Sequence, residues 1–481
     1  MTRKLRFGCK PYSSKLPVST NTEFQETVHK RATCIRLACC APIGDAHQHI
    51  WTGSIQSLQG GDRILKVGII VDVEPGIHGG IATALRSLIT ALGKLDGPET
   101  YVLIVENQNQ VDWLSPLAAN QRFEMRPVSS GNPVRDVLRG VKGLANKALG
   151  RDGKVGWPQV PISDGWLESL GLDVLHQPTQ GFIYCAIPTV YNPHDLQHLH
   201  YPQFFDLSDL TWRETIYRAA CRTSHAIIVN SQWIKDDVVA QFGVSPDKVQ
   251  IIPEAAPTQL LAEVTDEDKA ATRAKYTLPE RYIFYPNNTW PHKNHLRLFE
   301  AMAWLRDEKG LTVPLVSTGA RHEPSREALD SRMRGLGLEN QVQFLGFVSN
   351  EDLRAIYQMA RCLVVPSLFE ANSLPIFEAW AEGIPVASSN VTALPEQVGD
   401  AGLLFDPMDP HDMAGVIERL FTDDALCADL IEKGKVRLSD FDFLRTARAN
   451  RATYRRAAGR RLDSEDAALL AHDWMRYPIR D

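Results

Sequence analysis

The sequence predicts an α/β protein made of two Rossmann-like, doubly wound parallel-sheet domains facing each other across a cleft. Three observations carry this expectation. Short runs dense in Val and Ile alternate with stretches apolar at helical spacing, as parallel strands buried on both faces alternate with their crossover helices. The alternation stops once, in a charged stretch near the middle of the chain, and then restarts. The chain also has 481 residues, more than one core usually holds, so two domains of about 200 residues each are the natural division.

Residues 1–62 mix Ser, Thr, Gly and scattered basic residues and end in "LQGGDR". Without a period they read as a flexible extension to which no function is assigned. Order is expected to begin at "RILKVGIIVDV", a strand, followed by "EPGIHGG" and the helical "IATALRSLITALGKL". Further strands are expected at "TYVLIV", "DVLHQP", "IPTVYNPHDL", "SHAIIVN" and "VQIIPEA", which completes a first domain over 63–256. The charged "PTQLLAEVTDEDKAATRAKYTLPE" reads as a linker over 257–280 with a helical turn or two. A second domain over 281–440 repeats the pattern at "RYIFYP", "VPLVSTG", "VQFLGFV", "CLVVPS", "IPVASS" and "GLLFDP". The basic tail 441–481 reads as helical and is expected to pack back on the first domain.

A formal net charge of −6 gives no basic footprint for nucleic acid. No apolar run approaches the roughly 20 residues of a membrane-spanning helix, and no apolar segment follows the charged start, so a cytoplasmic chain is expected. Eight cysteines, four of them in the first forty residues, show no zinc spacing and read as reduced thiols. His194, His198 and His200 lie close together in sequence, but no second ligand cluster accompanies them, and no metal or cofactor is expected.

Several short motifs suggest a polyhydroxylated, phosphorylated ligand. Glycines at Gly79 and Gly80 sit between a strand and a helix, where backbone can approach an anion, although the spacing is not that of a dinucleotide fingerprint and also fits a plain turn. "YNPHDLQ" places His194 and Asp195 at the carboxyl end of a strand, where such folds bind ligands. Lys293 in "PNNTWPHKNH" stands near a helix start, as a phosphate-binding charge would. In "FEANSLPIFEAWAEGIP", Ser373 reads as an N-cap, Pro375 suits the first turn and Gly383 the C′ position, giving a short helix over 374–382. Glu370 precedes that helix and Glu378 lies in its second turn. Carboxylates there are stabilised by the helix dipole, and they also accept hydrogen bonds from sugar and ribose hydroxyls. A nucleotide sugar has hydroxyls at both ends and anions in the middle.

These motifs resemble those of the retaining glycosyltransferases of family 4 (glycosyl transferases group 1), which have the GT-B fold. The resemblance runs from Ile64 to Leu462 and is strongest over Tyr285–Pro407. It rests on Glu370 and Glu378 with seven residues between them, "EAWAEGIPVASSNVTALPEQVGDAGLLFDP", "PHKN", "HDLQ" and the Gly79–Gly80 pair. The resemblance implies that Gly79 and Gly80 admit the donor diphosphate, that His194 lies by the donor sugar with Asp195 supporting its loop, and that Lys293 neutralises the diphosphate. It implies further that Glu370 binds sugar hydroxyls, that Ser373, Leu374 and Pro375 line the sugar and phosphate, that Glu378 binds the ribose, and that Gly346, Phe347 and Val348 lie near the base. Asn288 stands where the family often carries an arginine, and Ala371-Asn372-Ser373 replaces its Gly-Phe-Gly.

The expected activity is transfer of a hexose, of mannose or glucose type, from a nucleoside diphosphate sugar to a hydroxyl of a glycan or lipid-linked acceptor. Alternatives are an epimerase on the same fold and a non-catalytic nucleotide-sugar-binding protein. The basic stretch 132–154 reads either as a solvated helix over the core or as a peripheral contact with anionic membrane. Oligomeric state is left open.

Overall fold

The computed structural model describes residues 64–73, 79–127, 158–254 and 263–474. The extension 1–62 and the basic stretch 132–154 lie outside the described residues.

Every predicted strand forms, and each sheet is parallel throughout. The first sheet holds β1 (Lys66–Ile70), β2 (Thr100–Val105), β3 (Gln121–Met125), β4 (Val174–Gln177), β5 (Thr189–Tyr191), β6 (Ala226–Val229) and β7 (Val249–Ile251), in the order β3-β2-β1-β4-β5-β6-β7. The second holds β8 (Ile283–Pro286), β9 (Leu315–Thr318), β10 (Val342–Phe344), β11 (Cys362–Val365), β12 (Val386–Ser389) and β13 (Leu403–Phe405), in the order β10-β9-β8-β11-β12-β13. In both sheets the order reverses beside the first strand, between β1 and β4 and between β8 and β11. Those reversal points open a crevice at the carboxyl ends of the strands, where this class of fold takes its ligands.

Strand β3 was not expected. Its sequence "QRFEM" alternates polar and half-buried residues at the sheet edge, so it lacks the continuous Val/Ile signature of a strand covered on both faces. The charged segment also differs from expectation. It contains a three-turn helix, Asp266–Tyr276, with a full capping box from Thr265 and Asp268. Thr272, Lys275 and Tyr276 all bond to Asp352, so this helix belongs to the second domain rather than to a linker.

The tail forms the helices Phe443–Ala457 and Ser464–Ala471. The first packs on helix Gly79–Gly93 and on β4 and β5. Tyr454 Oη meets buried His176 Nδ1 at 2.8 Å. The Arg451 guanidinium donates to the Asp96 carbonyl at 2.7 Å. Arg455 reaches Glu99 at 2.5 Å and Asp466 at 2.8 Å, both buried. The chain therefore crosses between the domains twice, once between Glu254 and Glu263 and again near Asp442. The residues beside the two crossings meet: Thr446 Oγ1 donates to the Pro253 carbonyl at 3.0 Å.

The second domain's core is closed around Trp380, whose indole donates to the Ala401 carbonyl at 3.1 Å. Helix Asp424–Ser439 reaches that ring only through Gly434, where an added Cβ would overlap Trp380 Cδ1. Gly434→Ala is therefore expected to destabilise the chain by about 1–3 kcal/mol through overpacking. Urea unfolding would read this as a lower midpoint with an unchanged slope.

Candidate active site

The site is assembled from the loops that leave the strand ends at the two reversal points. In the second domain, the chain leaves β8 through the 3₁₀ turn Pro291–Lys293 and passes Asn294 into helix His295–Lys309. Asn294 is buried, and its amide donates to the carbonyls of Pro366, at 2.9 Å, and Pro407, at 2.8 Å. That strut binds the loop after β8 to the loops after β11 and β13. Lys293 is thereby aimed at the loop after β11, and its Nζ meets Glu370 Oε1 at 2.5 Å. The same oxygen accepts from Ser367 Oγ at 2.6 Å, and Ser367 in turn contacts the Tyr285 hydroxyl at 3.1 Å. The Glu370 backbone is gripped by Thr392, whose hydroxyl donates to the Glu370 carbonyl at 2.7 Å and receives its N–H at 3.1 Å.

The charge at this point belongs to Lys293. Of the neighbouring histidines, His295 is pushed down to about 3, by burial first and then by the Lys293 charge. His292 is also held well below the usual imidazole value for the same two reasons. Both rings are neutral at physiological pH. Glu378, one helix turn past the cap, accepts from the Tyr357 hydroxyl at 2.6 Å, and burial raises its carboxyl above the ordinary range.

The first domain meets this loop directly. A Cβ on Gly80 would stand 3.3 Å from Leu374 Cδ1, so Gly80 lies opposite the start of helix Leu374–Ala381. Tyr201 donates to the Leu368 carbonyl at 3.2 Å. His194 takes the left-handed backbone, φ 62°, at the end of the loop after β5. Its Nε2 lies 2.8 Å from the Pro178 carbonyl and its Nδ1 3.3 Å from Glu254 Oε1. Asn294 and Thr392 also have positive φ. Non-glycine residues hold such backbone at a cost of about 1–3 kcal/mol each, which surrounding structure must offset, and they gather at functional sites.

Lys293 thus meets Glu370, and Gly80 of the first domain lies opposite Leu374 in the same loop, while several expected details differ. Ser373 occupies the N-cap position of Leu374–Ala381 but makes no side-chain cap bond. Its backbone N–H goes instead to Gln397 Oε1 at 2.9 Å, and its carbonyl accepts from Gln397 Nε2 at 2.8 Å. The Asn288 side-chain oxygen accepts from the Ala320 N–H at 2.7 Å, so it secures the loop after β9. Gly346 has φ 72°, and its carbonyl accepts from the Gly319 N–H at 2.8 Å. Phe347 is 74% exposed while Val348 packs on the core. Asp195 accepts from the Gln197 N–H at 3.0 Å, which fixes the turn after His194. Gly79 opens its helix, and the preceding loop lies outside the described residues. The three histidines diverge, His198 toward Glu214 and His200 toward Asp237. Among the described residues no group of three His, Cys, Asp or Glu side chains could hold a metal ion.

Glu254, Ser367, Asn372 and Thr392 were missed. Glu254 and Ser367 carried a readable signal, a polar residue just past a buried parallel strand. Asn372 and Thr392 are defined only by partners distant in sequence.

Residues 268–437 match the profile of glycosyl transferases group 1, and residues 78–260 match that of glycosyltransferase family 4. The chain belongs to the group 1/family 4 glycosyltransferases. Like other structures of this class it has the GT-B fold. HepE from Anabaena, solved in complex with UDP and glucose, superposes with a TM-score of 0.58 at 18% identity, covering 81% of this chain and 99% of that one. Sucrose-phosphate synthase from Thermosynechococcus elongatus gives 0.58 at 20% identity, covering 82% of this chain and 98% of that one. Among curated glycosyltransferases, the O-antigen chain mannosyltransferase B of Escherichia coli is 30% identical over 233 residues, 48% of this chain and 61% of that protein. The MMP alpha-(1->4)-mannosyltransferase of Mycolicibacterium hassiacum is 28% identical over 228 residues, 47% of this chain and 52% of that protein. These matches span less than two thirds of the relatives' lengths. No helix among the described residues of this glycosyltransferase is long and apolar enough to cross a membrane.

Proposed function

We propose that the chain transfers a hexose, of the mannose class, from a nucleoside diphosphate sugar to a hydroxyl of a growing polysaccharide, with retention of anomeric configuration. The observation that carries this reading is the Lys293–Glu370 pair at the β8/β11 reversal point, with Gly80 of the first domain opposite Leu374 in the same loop. An incoming diphosphate competes with Glu370 for the ammonium. Glu370, released in part, accepts from sugar hydroxyls. Glu378, on helix Leu374–Ala381, accepts from the ribose. The mannosyltransferase names among the relatives support the choice of sugar and of a polysaccharide acceptor.

In the reaction the bond from the anomeric carbon to the diphosphate breaks. A bond to the acceptor oxygen forms on the same face, and the acceptor's proton passes to the departing phosphate oxygen. The protein supplies orientation and charge: Lys293 stabilises the leaving group, and closure of the crevice excludes water that would hydrolyse the donor. No divalent metal is required, because the ammonium fills the role of the counter-charge. A lipid-linked acceptor would add a membrane contact through 132–154, outside the described residues.

A nucleotide panel tests the reading. UDP, GDP and ADP, alone and as glucose or mannose derivatives, are screened by thermal shift with and without EDTA. The matching nucleotide at about 100-fold over its Kd adds about 2.7 kcal/mol, a rise of a few degrees that EDTA leaves in place. A flat panel would remove the donor site. NMR of the product from the selected donor then reads anomeric configuration, and inversion would remove the retaining mechanism.

A further inference from the structure

The loop after β7 contributes a carboxylate that the family motifs do not include. Glu254 ends "VQIIPE" and is partly buried. One of its oxygens lies 3.3 Å from His194 Nδ1. The other accepts from Asn372 Nδ2 at 3.5 Å, and Asn372 belongs to the opposite domain. The remaining nitrogen of His194 faces the Pro178 carbonyl at 2.8 Å. Both ring nitrogens therefore point at oxygens that only accept. A neutral imidazole carries one N–H and satisfies one of them, whereas an imidazolium satisfies both. Asn372 lies in the segment that replaces the family's Gly-Phe-Gly, immediately after Glu370 in the donor loop.

We infer that Glu254 is a positioning residue that couples the two domains, holding His194 as a doubly protonated ring with one oxygen and the donor loop, through Asn372, with the other. This rests on the donor-site reading above and deepens it. The imidazolium adds a second positive charge to the crevice from the first domain's side. The Asn372 contact forms only when the donor loop and the end of β7 are together, so the charge arrangement and closure reinforce one another.

The titratable groups facing His194 are Glu254 after β7, Asp195 beside it in its own loop, and His176 on β4. Burial alone would lower the His194 value. Glu254, the Pro178 carbonyl and Asp195 together outweigh burial, and the net direction is upward. His176 is pushed down to about 4 by burial and adds no competing charge near neutrality. A raised imidazole keeps its proton, and what that proton stabilises, through neutral pH and loses it as pH rises through the folded value.

The test uses the full chain and reads His194 directly, by the pH dependence of its ring C2–H exchange in mass spectrometry. The native ring is expected to titrate above the ordinary imidazole value. In Glu254→Gln the side chain keeps one accepting oxygen and loses its charge, and the titration is expected to move below the native midpoint. Glu254→Asp keeps the charge and is expected to retain the raised midpoint, which separates lost charge from a damaged fold. Asn372→Ala is expected to leave the His194 titration in place and to raise the donor KM about two- to tenfold. Either an unchanged midpoint in Glu254→Gln or an unchanged KM in Asn372→Ala overturns the inference. The exchange measurement needs no turnover, so failure to find a donor would count against the functional reading alone.

Discussion

Replacing Lys293 with alanine is expected to reduce sugar transfer by about 30- to 1,000-fold in kcat, the equivalent of about 2–4 kcal/mol of barrier. The size follows from what the ammonium opposes. Charge grows on the leaving diphosphate as its bond to the sugar breaks, in a crevice where solvent screening is weak. The adjacent rings offer no substitute, since burial keeps both His292 and His295 neutral. Nor does Asn288 supply a cation, and its side-chain oxygen is committed to the Ala320 N–H. Glu370 retains the Ser367 hydroxyl after the substitution, so the loop should hold its shape and the loss should appear in rate more than in melting temperature. Steady-state kinetics on the variant decides this, and near-native turnover would falsify the role given to Lys293.

The largest effect on stability is expected from Arg455→Ala. Glu99 is 4% and Asp466 1% exposed, and the Arg455 guanidinium lies between them. Removing it leaves two carboxylates in a poorly hydrated place without their cation. Breaking a buried pair in this way costs about 3–5 kcal/mol. Arg455→Lys should recover only part of this, because a single ammonium cannot reproduce a planar fork that reaches two acids. Denaturant unfolding of both variants gives the measurement. A change below about 1 kcal/mol in the alanine variant would mean that the return of the tail is held by apolar contacts of helix Phe443–Ala457 alone.

The two sheets were legible because most of their strands are buried on both faces and so are dense in apolar residues. The same physics hid β3, whose edge position leaves "QRFEM" polar. It also hid the helix Asp266–Tyr276, whose high charge resembles a linker until Asp352 is seen to receive three of its side chains. At the site, Lys293, Glu370 and His194 were legible because each is a chemically able residue beside a strand end. Their pairings were not. Nothing local to "PHKN" says that Asn294 spans to Pro366 and Pro407, or that Gln397 takes the backbone of Ser373. Such bonds join positions from about 25 to more than 100 residues apart and exist only once the strand order is set. Glu254 is the instructive case: its place after β7 was readable, but its two partners lie 60 residues before it and 118 after it.

The double passage of the polypeptide between the lobes restricts how they separate. One tether would permit sliding and twisting, whereas two, with Thr446 and Pro253 joined beside them, restrict both. Any separation of the lobes is then greatest at the points farthest from the two crossings.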